Sequence, residues 1–195
     1  MMARIPNLLT MLRILLVPVF VALFFLGGTS RTYGATAVFA IAAITDWADG
    51  YLARRYRGVS PFGTFLDPVA DKIMVATALI LICATQEMPV VLAGILTSII
   101  VGREITVSAL REWMAEVGQR HRVAVSWLGK LKATLQMLAI LFLVYREPLG
   151  PISTRLVGMV LLVVAAALTL WSMVGYLQAA WPSLLGQASH LDKES

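Results

Sequence analysis

Four aspartates carry the chemistry that this sequence offers. Asp46 and Asp49 stand three residues apart, and Asp67 and Asp71 four apart, within the stretch DWADGYLARRYRGVSPFGTFLDPVADK from Asp46 to Lys72. Residues at these spacings share one face of a helix, so each pair projects two carboxylates together. Four such groups in a partly dehydrated place repel strongly unless a cation lies among them. All-oxygen donors select hard ions such as Mg²⁺, Mn²⁺ or Ca²⁺, and two ions a few ångströms apart can share carboxylates. The stretch contains neither His nor Cys, which argues against zinc. Gly50, directly after Asp49, and Gly63, one turn before Asp67, remove side chains where a nucleotide would approach the backbone. Helix capping, or pairing with Arg54, Arg55 and Arg57, would account for one aspartate but not for four at this spacing.

The elements that must position these acids are apolar. The chain has 195 residues, 59% hydrophobic and 14% charged, with a mean hydropathy of +0.81. That lies outside the range of soluble domains and fits a single all-α membrane domain over 1–195. A span needs roughly 20 apolar residues to cross about 30 Å of hydrocarbon. Six transmembrane helices are expected at Leu12 to Leu26, Tyr33 to Ala53, Asp67 to Thr85, Pro89 to Arg111, Ala124 to Tyr145 and Leu156 to Ala180. A short interfacial helix is expected to open the chain over Ile5 to Arg13. The first apolar run has signal-like flanks but no A-x-A-like site, and is expected to remain as a helix.

Arg54, Arg55 and Arg57 flank the second span, and Arg111, Arg120, Arg122, Lys130 and Lys132 surround the link between the fourth and fifth. The other links carry few cations, so the positive-inside tendency puts these two links, the aspartates and both termini in the cytoplasm. The same bias explains the net charge of +5; no exposed basic fold presents it to nucleic acid, and no nucleic-acid partner is expected. Cys83, the single cysteine, lies in an apolar run and reads as a small buried hydrophobe. His121 and His190 have no supporting constellation, and His121 does not open an H-x-K-x-x-x-x-D pattern.

With these residues placed, Asp46-x-x-Asp49-Gly50-x-x-Ala53-Arg54, eight residues, then Gly63-x-x-x-Asp67-x-x-x-Asp71 resembles the signature of the CDP-alcohol phosphatidyltransferase family, with every fixed position filled. Asn7, Thr10 and Arg13, GREITVSALREWMAE from Gly102 to Glu116, and GKLKATLQM from Gly129 to Met137 look like the bacterial branch that makes phosphatidylglycerophosphate. Ala133 departs from that branch, which often places threonine directly after the second lysine. The resemblance implies transfer of a phosphatidyl group from CDP-diacylglycerol to sn-glycerol 3-phosphate, releasing CMP. It also implies two Mg²⁺ or Mn²⁺ ions per site and a homodimer of six-helix protomers among the lipids of a bacterial inner membrane. Carried onto this chain, Asp46, Asp49 and Asp67 are the main metal ligands, and Asp71 both binds metal and takes the acceptor's proton. Asp49, Gly50, Ala53, Arg54, Gly63 and Thr10 line the CDP site.

A glycerol phosphate needs positive charge near the metals but distinct from them. Arg103, Arg111, Lys130 and Lys132 are the candidates. The two arginines, eight residues apart, lie about 80° around a helix and could flank one pocket. Snorkelling explains Arg111 and the lysines without function, and Arg103 could belong to a structural ion network with Glu104, which could also bond Ser108 and Arg111. Two other readings stay open: the same chemistry on a different acceptor, as in cardiolipin or inositol-phosphate synthesis, and a divalent-metal transporter. A transporter places its acids near the midplane, not at one face.

Overall fold

The computed structural model describes the backbone at residues 4–55, 61–85, 88–118 and 127–191, and side chains within 8–46, 69–70, 72–85, 88–118 and 129–181. Among the described residues six α-helices follow one another: α1 (Arg4–Leu26), α2 (Thr36–Arg55), α3 (Pro61–Ala84), α4 (Val90–Glu116), α5 (Trp127–Tyr145) and α6 (Thr154–Leu191). Among the described residues no β-strand occurs. Three of the helices are long and apolar enough to cross a membrane, over Leu8–Leu26, Val90–Glu116 and Thr154–Trp181, and a shorter apolar helix runs over Lys72–Ala84.

The differences from the expected boundaries have local causes. Residues Ile5 to Arg13 are not a separate interfacial helix but the first turns of α1, which continues to Leu26. Pro61 opens α3, where its missing N–H costs nothing, so Gly63 is a helical position and not part of the preceding link. A π-helical segment, Ser30–Ala35, runs directly into α2 and turns Arg31 and Thr32 inward. Gly118, at φ +72°, ends α4 in the left-handed conformation that glycine adopts without a Cβ penalty. The Ser153 hydroxyl accepts the Leu156 N–H at 3.3 Å and caps the start of α6.

The main core joins α1, α2, α3, α4, α5 and α6. Phe20 stacks at 5.7 Å from Phe24 and 5.9 Å from Phe39, tying α1 to α2. Small residues, including Ala78, Ala139, Ala165 and Ala166, are buried at the contacts, which lets helices approach closely. Large apolar side chains such as Leu15, Phe25, Val91, Ile105 and Trp171 face outward instead. That distribution suits a bundle whose surroundings are hydrocarbon and not water.

Candidate active site

The polar interior is divided between the two ends of the bundle. At one end, Arg31 donates to the Thr85 hydroxyl at 3.0 Å and lies 3.9 Å over the Phe24 ring. The Tyr33 and Tyr145 rings meet edge to face at 5.9 Å beside it. This end gathers the links α1–α2, α3–α4 and α5–α6. The helix positions expected from sequence to carry the chemistry lie toward the opposite end.

In that direction, Asp46 sits midway along α2 and receives a hydrogen bond from Arg13 Nη1 of α1 at 2.8 Å on Oδ1. Arg13 is 2% exposed while the Asp46 side chain is 42% exposed, so the cation is fixed in the interior and the carboxylate reaches outward. Thr10, buried one turn before Arg13, belongs to the same face of α1. Asp49, Gly50, Ala53 and Arg54 are positions on α2, and Gly63, Asp67 and Asp71 on α3. Their side chains lie outside the described residues, as do His121 and the side chain of His190, a position on α6.

Nearby, α3, α4 and α5 line a half-open cavity of about 180 Å³ whose lining includes Lys72, Arg103, Glu104, Lys132 and Gln136. Arg103 and Lys132 are buried, and both donate to Glu104 Oε1, Arg103 at 3.0 Å. Arg103 is also held from α6: its Nη2 donates to Ser172 Oγ at 3.1 Å, and its guanidinium carbon lies 5.5 Å from the Tyr176 ring centre. Ser172 in turn donates to the Thr169 carbonyl at 2.9 Å. Lys72 of α3 donates to Ser108 Oγ, and that hydroxyl donates to the Glu104 carbonyl at 2.6 Å.

Of the four expected phosphate-binding residues, the cavity brings together Arg103 and Lys132. Arg111 and Lys130 are not among the described residues lining it: Arg111 is half-buried on α4 and Lys130 is exposed. The expected Arg103 to Glu104 pair is present. The Ser108 hydroxyl reaches the backbone oxygen of Glu104 and not its carboxylate. Lys72, Gln136, Ser172 and Tyr176 were not singled out from sequence. Lys72 carried a usable signal, a cation directly after Asp71 at the start of an apolar run; the α6 residues carried none. Chemically, the cavity offers fixed positive charge for an anion, one helical residue beyond the position of Asp71.

The wider resemblances agree with this arrangement. A family model described as CDP-alcohol phosphatidyltransferase matches residues 3–171. The chain is 48% identical over 187 residues, covering 96% of its own length and 100% of theirs, to proteins of Shigella flexneri serotype 5b (strain 8401) and Escherichia coli (strain K12). Both relatives are named CDP-diacylglycerol–glycerol-3-phosphate 3-phosphatidyltransferase. With the signature filled on α2 and α3, and the match running through most of the six helices, this chain belongs to the CDP-alcohol phosphatidyltransferase family.

Proposed function

We propose that the protein transfers the phosphatidyl group of CDP-diacylglycerol to sn-glycerol 3-phosphate, giving phosphatidylglycerophosphate and CMP. The observation that carries this reading is the cationic cavity: buried Arg103 and Lys132 beside Lys72, at the end of the bundle where Asp46 emerges. A small phosphorylated alcohol needs such a pocket, and an acceptor lacking a phosphate does not. The relatives' shared name supports the same donor and acceptor.

The site sits, in this reading, at the cytoplasmic face of a bacterial inner membrane, in a six-span protomer that pairs as a homodimer. Asp46, Asp49, Asp67 and Asp71 hold two divalent ions, Mg²⁺ or Mn²⁺. The donor set fits hard cations, being carboxylate only, and the outward reach of Asp46 leaves that carboxylate accessible from the bundle end. Arg13 on Oδ1 fixes the side chain's direction. When bound, the ions supply Lewis-acid charge and a template at the diphosphate. Thr10, Gly50, Ala53, Arg54 and Gly63 line the CDP moiety.

Arg103 and Lys132 hold the acceptor phosphate, which directs the far hydroxyl of the glycerol toward the donor. Asp71 takes the proton of that hydroxyl as its oxygen bonds to the phosphatidyl phosphorus. The bond from phosphorus to the CMP oxygen breaks, and the electron pair leaves with CMP. A positioned base contributes roughly 10² to 10⁴-fold, so charge stabilisation and positioning must supply much of the rest.

The test is CMP release by the purified protein with CDP-diacylglycerol and Mg²⁺ or Mn²⁺. Release is expected with glycerol 3-phosphate, not with phosphatidylglycerol or inositol phosphate, and EDTA should abolish it. Asp67→Asn should lower the rate by about 10² or more while leaving a folded, inserted protein. Release with inositol phosphate alone would refute the proposed acceptor.

A further inference from the structure

Glu104 is an anion inside a pocket read above as an anion site. Its Oε1 takes hydrogen bonds from both Arg103 and Lys132, the two most buried cations there. We propose that Glu104 is a built-in competitor of the acceptor: its carboxylate holds the two phosphate-binding cations until the acceptor's phosphate replaces it. This rests on the cavity being the acceptor site.

Carboxylate and phosphate oxygens ask for the same donors, an arginine fork and an ammonium. The two partners of the exchange are unequally held. Arg103 is anchored on α6 by Ser172 and the Tyr176 ring, independently of Glu104, so the guanidinium keeps its place when the carboxylate leaves. The Glu104 side chain is 25% exposed and lines the cavity, and no described hydrogen bond from α6 ties it in place as one ties Arg103. Among the described residues, three cations and one carboxylate line the cavity, a positive excess that favours an anion.

The arrangement has a physical reason. Buried cations without a counter-ion are strongly unfavourable, and Glu104 keeps Arg103 and Lys132 compensated in the empty enzyme. The consequence is weaker binding of any anion, including inorganic phosphate, which would otherwise occupy the pocket without reacting.

The experiment is competition by inorganic phosphate against glycerol 3-phosphate in the CMP-release assay, at fixed ionic strength, on the full chain. Glu104→Gln keeps the size and one acceptor oxygen but removes the charge. Its inhibition constant for phosphate should fall about tenfold, with a parallel fall in the KM for glycerol 3-phosphate, the size expected from charge-assisted hydrogen bonds no longer contested. Unchanged or weakened phosphate binding would overturn the proposal and make Glu104 a brace for Lys132. Glu104→Asp retains the charge for folding but is one methylene short of its partners. Severalfold tighter phosphate inhibition is expected of it too, and unchanged or weaker inhibition there is equally decisive against the proposal. If wild type releases CMP with glycerol 3-phosphate but neither variant tightens, only the competitor role fails. If wild type does not use glycerol 3-phosphate, the functional reading itself fails.

Discussion

Arg13 shows how one residue can matter to a site it does not enter. It is 2% exposed on α1, and its guanidinium fixes Asp46 of α2 at 2.8 Å. Without it, the proposed metal ligand loses both its direction and its counter-charge. Arg13→Met preserves bulk and removes the charge; it should reduce CMP release at least tenfold and lower stability by roughly 1–3 kcal/mol, the cost of a hydrogen bond to a charged group. Arg13→Lys should recover part of the activity, since a lysine restores charge but not the planar fork. CMP assays and thermal unfolding in detergent would show both effects. Asp46 was singled out from sequence because the argument for it lies in local spacing. The role of Arg13 was not: it stood in a motif near the N-terminus, and its partner is 33 residues away on another helix. Long-range pairing leaves no trace in periodicity, which is also why Ser172 and Tyr176, two polar side chains in an apolar run, gave no hint of Arg103.

The helices were legible as runs of apolar residues between glycine and proline punctuation, although α1 and α3 begin earlier and α6 runs on to Leu191, beyond the expected spans, because polar turns extend apolar helices without a break in the pattern. How the helices cross was not legible, because a membrane helix is apolar on every side and periodicity does not say which side meets a neighbour. Gly158 illustrates what decides it. A Cβ there would lie 2.7 Å from Leu143 Cγ and 3.1 Å from the Ala139 carbonyl oxygen, so α6 meets α5 at a point where only glycine fits. Gly158→Ala should destabilise the protein by about 1–3 kcal/mol through overpacking. Gly94, with nothing within 4 Å of the same added atom, is the control. Gly94→Ala should be neutral or stabilising by up to about 1 kcal/mol, since alanine favours the helix. Unfolding of both variants in mixed micelles would separate the effects; equal gains would mean that helix propensity, not the crossing, governs the response.

For the whole molecule, the division of polar groups between two ends turns a charge-bias argument into a geometric one. Tyr33 with Tyr145 and Arg31 with Thr85 mark one end, whereas Arg13 with Asp46 and Lys132 with Glu104 mark the other. Among the described residues, the helices carry Arg54, Arg55, Arg111 and Lys130 toward the second end, while the first carries chiefly Arg31, Arg146 and Arg155. Positive charge is retained on the cytoplasmic side during insertion, so the cationic end and the site should face the cytoplasm. This orientation makes chemical sense for a site that takes a nucleotide-linked donor and a sugar-alcohol phosphate. With Cys83 replaced by alanine, single cysteines at the exposed positions Thr29 and Leu149 should react with a membrane-impermeant maleimide from outside intact cells. Ala115→Cys, exposed near the end of α4, should react only after permeabilisation. Because α1, α4 and α6 are each long and apolar enough to cross, any one of them inserted in reverse would exchange these patterns locally. Labelling of Ala115→Cys in intact cells, with Thr29→Cys protected, would invert the bundle and place the aspartates outside.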